Sequence, residues 1–361
     1  MRDENFAQLM LLYKLRKSGS IKSTKLTDSS LFTDKDEVPT MVPMVNVALS
    51  GKLDGGITRG LTVLAGPSKH FKTAFGLLMM KAYMEKYPES VVLFYDSEFG
   101  TPRGYFSSLK IDTDRVLHIP IKNIEELKFD LVKQLEGMTV EDKVFVMIDS
   151  IGNLASKKEL DDAKDEKSVA DMTRAKQLKS LFRMITPYLT LRDVPLIAVN
   201  HTYETQEMFS KQVVSGGTGI MYSSDNVWII GRRQQKKGTE LEGYDFIINV
   251  EKSRFVKEKS KIPISVTWQG GIKKYSGLLE VALEGGFVTK PSMGWFQKLD
   301  LETGEEIEGK YRAAETETKE FWQDILDHWK FKKYVEDRYA LGDGLLEGIE
   351  LADKLEMEAD E

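Results

Sequence analysis

Hydrophobic and polar positions along this chain follow two periods in turn. Short aliphatic and β-branched runs recur at residues 61–65, 91–95, 116–119, 144–148 and 196–200. Their length and composition are those of buried strands. Between them, residues 74–87, 102–109, 124–136 and 168–188 have helical composition. Strands alternating with helices predict βαβ units, hence an α/β fold with a mostly parallel central sheet flanked by helices. Beyond Asn226 the pattern changes. Two apolar runs, 227–230 and 246–250, flank a polar, charged segment, 231–243. This reads as antiparallel hairpin strands at one edge, with a further strand over 264–268.

The two ends differ from this middle. Phe6, Leu9, Met10, Leu12 and Tyr13 repeat at helical spacing and predict an amphipathic helix over 5–17. Residues 18–36 are polar, with Leu26, Leu31 and Phe32 as isolated apolar points. Residues 1–35 therefore read as an arm for oligomerisation, covered by a neighbouring subunit. The glycine-rich stretch 44–60 reads as turns leading into the first strand. Residues 291–361 read as a small, aromatic-rich helical region (Phe321, Trp322, Trp329, Phe331, Tyr334, Tyr339) followed by an acidic tail. The predicted organisation is an arm, a core over 36–290 and this C-terminal region.

Composition removes some chemistries. The chain has no cysteine, which excludes disulfides, thiolate metal sites and cysteine nucleophiles and fits a reducing cytoplasm. No apolar run reaches the roughly 18 residues of a membrane span. The apolar patch 9–13 is too short for a signal peptide and follows Asp3 and Glu4 rather than basic residues. The net charge of −6 is unevenly spread, since residues 336–361 hold ten acidic and two basic side chains and the rest is slightly positive. Such a tail is able to compete with a polyanion; a merely solvated tail has the same composition.

Candidate chemistry gathers at the strand ends. After the 61–65 strand comes Gly66-Pro67-Ser68-Lys69-His70-Phe71-Lys72-Thr73. It has the form of the phosphate loop G-x-x-x-x-G-K-[ST] except that Phe71 replaces the second glycine. Strand, glycine entry and a Lys-Thr helix start aim backbone N–H groups and the positive helix end at one point. Lys72 would meet the β- and γ-phosphates of ATP, and the Thr73 hydroxyl would bind Mg²⁺. An ordinary βα turn would share these eight letters. Phe71 must also take up a backbone conformation that an L-residue tolerates, or be strained.

Three further strands end in polar residues, where an open α/β sheet places its ligands. The 144–148 strand ends in Asp149, the form of a Mg²⁺-holding acid, though a helix-capping Asp looks the same. The 91–95 strand runs into Asp96-Ser97-Glu98, and Glu98 could orient the water that attacks a γ-phosphate; a surface acid in a turn is the alternative. The 196–200 strand leads to His201 and Thr202, placed to feel a terminal phosphate. Together with the loop, these ends point to an ATPase. Two long segments follow them: 155–168, with four lysines among five acids, and 202–219, glycine-rich and carrying Met208 and Phe209. Met208 and Phe209 could wedge between stacked bases or fold back as a lid. Lys252 and Arg254, two apart on a strand, would project together, either onto a phosphate in cis or in a neighbouring subunit, or simply into solvent.

The order of these elements resembles the RecA-type recombinases, above all the strand-exchange recombinases of T-even phages. The residues that carry the likeness are the 66–73 loop, Tyr95-Asp96-Ser97-Glu98, Ile148-Asp149-Ser150, Gly152-Asn153-Leu154 and Asn200-His201-Thr202-Tyr203, and it runs from about residue 23 to 312. The resemblance implies a RecA-like P-loop ATPase core. It implies that residues 66–73 and Asp149 bind ATP and Mg²⁺, that Glu98 is the catalytic carboxylate and that Tyr105 packs on adenine. His201, where most relatives carry glutamine, would sense the γ-phosphate, with a chemistry open to pH. Lys252 and Arg254 would reach ATP from the adjacent protomer. Residues 155–170 and 202–219 would be DNA-binding loops, with Lys157, Lys158, Lys164, Lys167, Met208, Phe209, Lys211, Gly216 and Gly217 against DNA. The implied partners are single-stranded DNA, homologous duplex DNA, further copies of the chain in a helical filament, a recombination mediator and a single-strand-binding protein. The implied products are ADP and phosphate, with AMP left open. A ring-forming helicase with the same core is the alternative.

Overall fold

The computed structural model of the protein describes residues 2–29, 31, 36–165, 173–205, 211–237, 239–268 and 270–342. The chain forms two compact units, residues 1–36 and 37–361. In the first, α1 (Arg2–Ser18) covers the predicted helix and extends it at both ends. Its Phe6, Leu9, Met10, Leu12 and Tyr13 side chains are exposed. The predicted linker point Phe32 lies outside the described residues.

The second unit opens with α2 (Pro43–Ser50), where the sequence predicts turns. The glycines begin only at Gly51, whose left-handed backbone closes the helix. Before it, Pro43 starts the helix, and every residue from Met44 to Ser50 is buried. The predicted alternation then follows: β1 (Gly60–Ala65), α3 (Lys72–Lys86), β2 (Val91–Asp96), α4 (Arg103–Ser108), β3 (Val116–Pro120), α5 (Ile124–Gly137) and β4 (Val144–Asp149). Next come α6 (Lys157–Lys164), α7 (Thr173–Leu191), β5 (Pro195–Asn200), the short β6 (Thr202–Glu204) and β7 (Gln212–Val214), and α8 (Thr218–Ser223).

Four further strands complete the sheet: β8 (Asn226–Lys237), β9 (Glu240–Ser253), β10 (Lys261–Thr267) and β11 (Gly271–Ile272). The charged segment of the hairpin is not a loop. Arg232 to Lys237 pair with Glu240 to Phe246, with one register shift between Gln235 and Lys236, because an antiparallel ladder tolerates a polar face turned to water. The nine strands lie in the order β11-β10-β9-β8-β1-β5-β4-β2-β3. From β8 to β3 every pairing is parallel; β8 to β11 are antiparallel.

Successive residues of one strand feed opposite faces. Val92 and Phe94 join one buried cluster, Leu93 and Tyr95 the other. This period of two, with both faces buried, is why the strands read as continuous apolar runs. The chain ends with α9 (Leu278–Glu284), a three-stranded sheet of β12 (Val288–Ser292), β13 (Trp295–Lys298) and β14 (Tyr311–Arg312), then α10 (Lys319–Asp327) and α11 (Trp329–Tyr339). Phe321, Trp322, Phe331 and Tyr339 bury into the same cluster as α2 and β8 to β10, so the C-terminal region shares the core. Among the described residues, no helix is long and apolar enough to cross a membrane.

Candidate active site

Parallel pairing brings the carboxyl ends of β1, β2, β4 and β5 together. Ala65 lies opposite Asn200, and Asp96 opposite Asp149. The 66–73 loop leaves this edge from the centre of the sheet. Lys69 and Phe71 are both left-handed, at φ 60° and 61°, the backbone ingredient of anion-binding concavities. Phe71 thus adopts the conformation for which glycine is the usual choice, at a cost of roughly 1–2 kcal/mol. Its ring offsets that cost by stacking on Phe246 of β9 (centroids 5.2 Å apart, planes at 22°) and meeting Phe75 edge-on at 6.1 Å. The loop is further tied by Arg232, whose Nη1 donates to the Lys69 carbonyl at 3.5 Å, and by His70 Nδ1, 2.9 Å from the Ser68 carbonyl. Burial lowers the His70 pKa.

Lys72 is 6% exposed, and its ammonium donates to the carbonyls of Gly66 (2.9 Å) and Pro67 (2.7 Å). Burial lowers its pKa, against the opposing pull of Glu98 and Asp149. The next residue, Thr73, donates its hydroxyl to Asp149 Oδ2 at 2.8 Å, and Thr101 donates to the same oxygen at 3.3 Å. Asp149 is 2% exposed, and its Oδ1 has no hydrogen-bond partner among the described residues. Burial pushes its pKa up to about 6, with Glu98 and Asp96 adding to the effect. An orphaned carboxylate oxygen, a hydroxyl and a buried ammonium beside a loop of N–H groups fit a phosphate chain with its divalent cation. Both Mg²⁺ candidates named from the sequence, Thr73 and Asp149, therefore meet.

Glu98 lies at the same edge. Its Oε1 accepts from Ser150 Oγ (2.5 Å) and Asn153 Nδ2 (3.1 Å) and lies 3.0 Å from His201 Nε2. The hydrogen bond with His201 leads in lowering its pKa; burial opposes, and the Ser150 bond and the charges of His201 and Lys72 add. Glu98 is therefore an ionised acceptor at neutral pH. Asp96 shapes the turn that presents it, accepting from the N–H groups of Glu98 (3.0 Å) and Phe99 (2.8 Å), while His118 Nε2 sits 3.1 Å from its other oxygen. Sequence reasoning gave no role to Ser150, Asn153 or Thr101. Each is a polar residue within a few positions of a strand end already singled out, and that proximity was the signal.

His201 joins this centre to the segment beyond β5. Asn200 accepts from the His201 N–H at 2.8 Å and donates to the Ser215 carbonyl at 2.7 Å, and the Ser215 N–H donates to the His201 carbonyl at 2.9 Å. The segment itself returns as a β6–β7 ribbon. Lys211 is exposed beside it; Met208 and Phe209 lie outside the described residues. Gly216 and Gly217 are left-handed at φ 98° and 77°, and a Cβ on Gly216 would meet Leu178 at 2.8 Å. Their glycine identity thus has a steric cause in the fold.

The segment beyond β4 is not wholly a loop. Residues 157–164 form α6, started by a capping box between Ser156 and Glu159. The mixed charges that read as loop are spaced as helical pairs, with Lys158 2.9 Å from Asp162 and Lys164 3.1 Å from Asp161. Lys157 is exposed, with its N–H donating to Glu125; Lys167 lies outside the described residues. Tyr105 sits on α4, 40% exposed.

Lys252 and Arg254 stand elsewhere. Lys252 pairs with Val227 near the amino end of β8, and Val227 pairs with Val63, midway along β1. The 66–73 loop begins three residues beyond Val63, at the carboxyl end of β1. The two side chains are turned away from it: Lys252 Nζ donates to the carbonyls of Met221 (2.6 Å) and Ser224 (2.7 Å), and Arg254 Nε lies 2.7 Å from Asp225 Oδ1.

A mostly parallel sheet with a loop of phosphate-loop form at its centre, a Thr–Asp pair beside a buried lysine and an ionised glutamate fit a nucleotide-binding α/β core of the RecA type. Comparison with known proteins narrows the class. Residues 275–335 match the family model described as Bacteriophage T4, Recombination and repair protein, C-terminal domain. The chain is 52% identical over 351 residues to the recombination and repair protein of Enterobacteria phage T4, covering 96% of this chain and 88% of that protein. It is 27% identical over 263 residues to the RecA protein of Streptomyces rimosus (72% and 67% covered) and 25% identical over 255 residues to that of Aquifex aeolicus (70% and 72%). The chain belongs to the family of the phage T4 recombination and repair protein, within the wider RecA-like recombinases, and these relatives do not favour a helicase. Membership implies nucleotide binding, typically with Mg²⁺.

Proposed function

We propose that the chain is a DNA-dependent ATPase that assembles as a helical filament on single-stranded DNA, pairs it with a homologous duplex and exchanges strands in recombination, repair and recombination-dependent replication. One observation carries this reading. Glu98, placed to orient the attacking water, is hydrogen-bonded by His201, the residue from which the candidate DNA segment departs. Phosphate state and DNA contact would thereby bias one another.

In this reading Lys72 leaves the Gly66 and Pro67 carbonyls for the β- and γ-phosphates, and Thr73 turns its hydroxyl from Asp149 towards the cation. Mg²⁺, once bound there, neutralises charge developing on the phosphates. Tyr105 stacks on adenine. Glu98 accepts a hydrogen bond from the water in line with the γ-phosphorus. Lys252 and Arg254 stabilise the same charge from the neighbouring protomer; in support, both side chains turn away from their own loop, towards the residues that precede β8. A phosphate loop of one protomer and the cations of the next make a head-to-tail contact, the kind that builds open filaments when the rotation does not close. The α1 arm, the exposed lysines Lys157, Lys158 and Lys211, a mediator and a single-strand-binding protein complete the proposed assembly, acting on DNA in the cytoplasm.

The test is homologous strand invasion with and without ATP, together with electron microscopy on single-stranded DNA. Joint molecules that need ATP and continuous filaments are expected. Closed hexamers, or DNA-stimulated hydrolysis that survives Lys72→Ala, would sink the reading. Resolving the products of the same reaction shows whether AMP accompanies ADP.

A further inference from the structure

A partly buried guanidinium joins the two segments that leave β4 and β5. Arg174 stands in the first turn of α7. Its Nε donates to the Leu154 carbonyl at 2.8 Å, its Nη2 to the carbonyls of Ile151 (3.0 Å) and Gly152 (2.8 Å), and its Nη1 to Ser215 Oγ at 3.4 Å. Three acceptors belong to the root of the first segment and the fourth to the return of the second. None of the four is a carboxylate. Burial lowers its pKa, opposed by the charge of Glu159.

The bracket reaches Glu98 by two routes. Gly152, whose carbonyl it holds, lies against His201: a Cβ there would come within 2.3 Å of the imidazole Cδ2. His201 in turn sits 3.0 Å from Glu98 Oε1. Asn153, from the same root, donates to that oxygen at 3.1 Å. On the opposite side, Ser215 is tied through its backbone to both Asn200 and His201.

We propose that Arg174 is a positioning residue that makes the two segments move as one and thereby couples DNA contact to Glu98. This rests on the reading above that the segments contact DNA. The role needs a planar fork with several donors in fixed directions, which a lysine ammonium cannot replace. A coupling of the usual size changes the response about 5- to 150-fold.

The full chain carrying Arg174→Lys or Arg174→Gln is compared with the unchanged chain for ATP turnover without DNA and with saturating single-stranded DNA. Stimulation by DNA falls about tenfold in both variants, while DNA-free turnover, half-saturating DNA concentration and melting temperature stay close to the unchanged chain. Failure of lysine to rescue separates the fork from the charge. Full stimulation in either variant overturns the proposal, as does parallel loss of DNA-free turnover and melting temperature, the mark of a purely structural guanidinium. A second measurement needs no DNA: a non-hydrolysable ATP analogue slows amide exchange across residues 202–215 in the unchanged chain and not in Arg174→Lys. Equal slowing in both overturns the proposal. A chain whose turnover ignores DNA altogether defeats the parent reading instead, and the exchange measurement still decides for Arg174.

Discussion

The two ends of the central sheet hold opposite kinds of charge arrangement. At the carboxyl end the groups are short of partners among the described residues: Asp149 keeps one oxygen orphaned and its pKa is pushed up to about 6, and the buried Lys72 ammonium rests on loop carbonyls. At the amino end the cations are satisfied within their own chain, Lys252 on the carbonyls that end α8 and Arg254 on Asp225. The first arrangement fits a polyphosphate and its cation; in the second the cations are already held. Bringing Lys252 to a neighbour's nucleotide would release the end of α8, which follows the candidate DNA segment directly. Filament assembly and DNA contact would then share one element.

Breaking the carboxyl end should have the largest effect. Glu98→Gln should lower ATP turnover by about 10²–10⁴-fold while nucleotide affinity stays within a few-fold, read by steady-state kinetics beside equilibrium binding. Equal loss of both would mean that Glu98 shapes the site rather than the reaction. The trans arrangement is sharpened by mixing. Lys72→Ala and Arg254→Ala should each be inactive alone, yet an equal mixture should recover about a quarter of full turnover, because about one junction in four then pairs an intact loop with intact cations. No recovery on mixing would contradict it.

Asp149 supplies a prediction with a defined sign. Its folded pKa, about 6, lies above its ordinary 3.8. The fold therefore favours the protonated form, and this contribution is full below the ordinary value and lost as pH rises through about 6. Asp149→Asn, which cannot ionise, should raise unfolding stability above pH 7 by about 1–3 kcal/mol while weakening Mg²⁺-dependent nucleotide binding. In the unchanged chain that binding should weaken as pH falls through about 6, with proton release on Mg²⁺ uptake measurable by calorimetry in buffers of different ionisation enthalpy. The smallest effect concerns the loop itself. Phe71→Gly relieves the left-handed backbone but loses the stack on Phe246, so a net destabilisation of about 1–2 kcal/mol is expected in denaturant melts. Greater stability in that variant would show that the ring contributes less than the strain costs.

Legibility followed the range of the forces involved. The β1–α3 unit, the alternating strands and the polar strand ends were readable because each rests on local period and composition. Helix α2 was hidden by the glycines that follow it, and α6 by a run of mixed charges that reads as a solvated loop, although its pairs stand at helical spacing. Ser150 and Asn153 carried only their nearness to a strand end, and Arg174 not even that, since their meaning lies in partners such as Glu98 and Ser215, 52, 55 and 41 positions away in sequence.

The sequence by itself determined the α/β core, the phosphate loop, the acids at the strand ends and the resemblance to the RecA-like recombinases. Tertiary structure decided why Phe71 is tolerated, since the ring that stabilises its backbone lies on β9. It also decided that Lys252 and Arg254 turn their side chains to Met221, Ser224 and Asp225, away from their own 66–73 loop, because pairing between strands fixes which distant residues meet and leaves no mark in the order of residues along the chain.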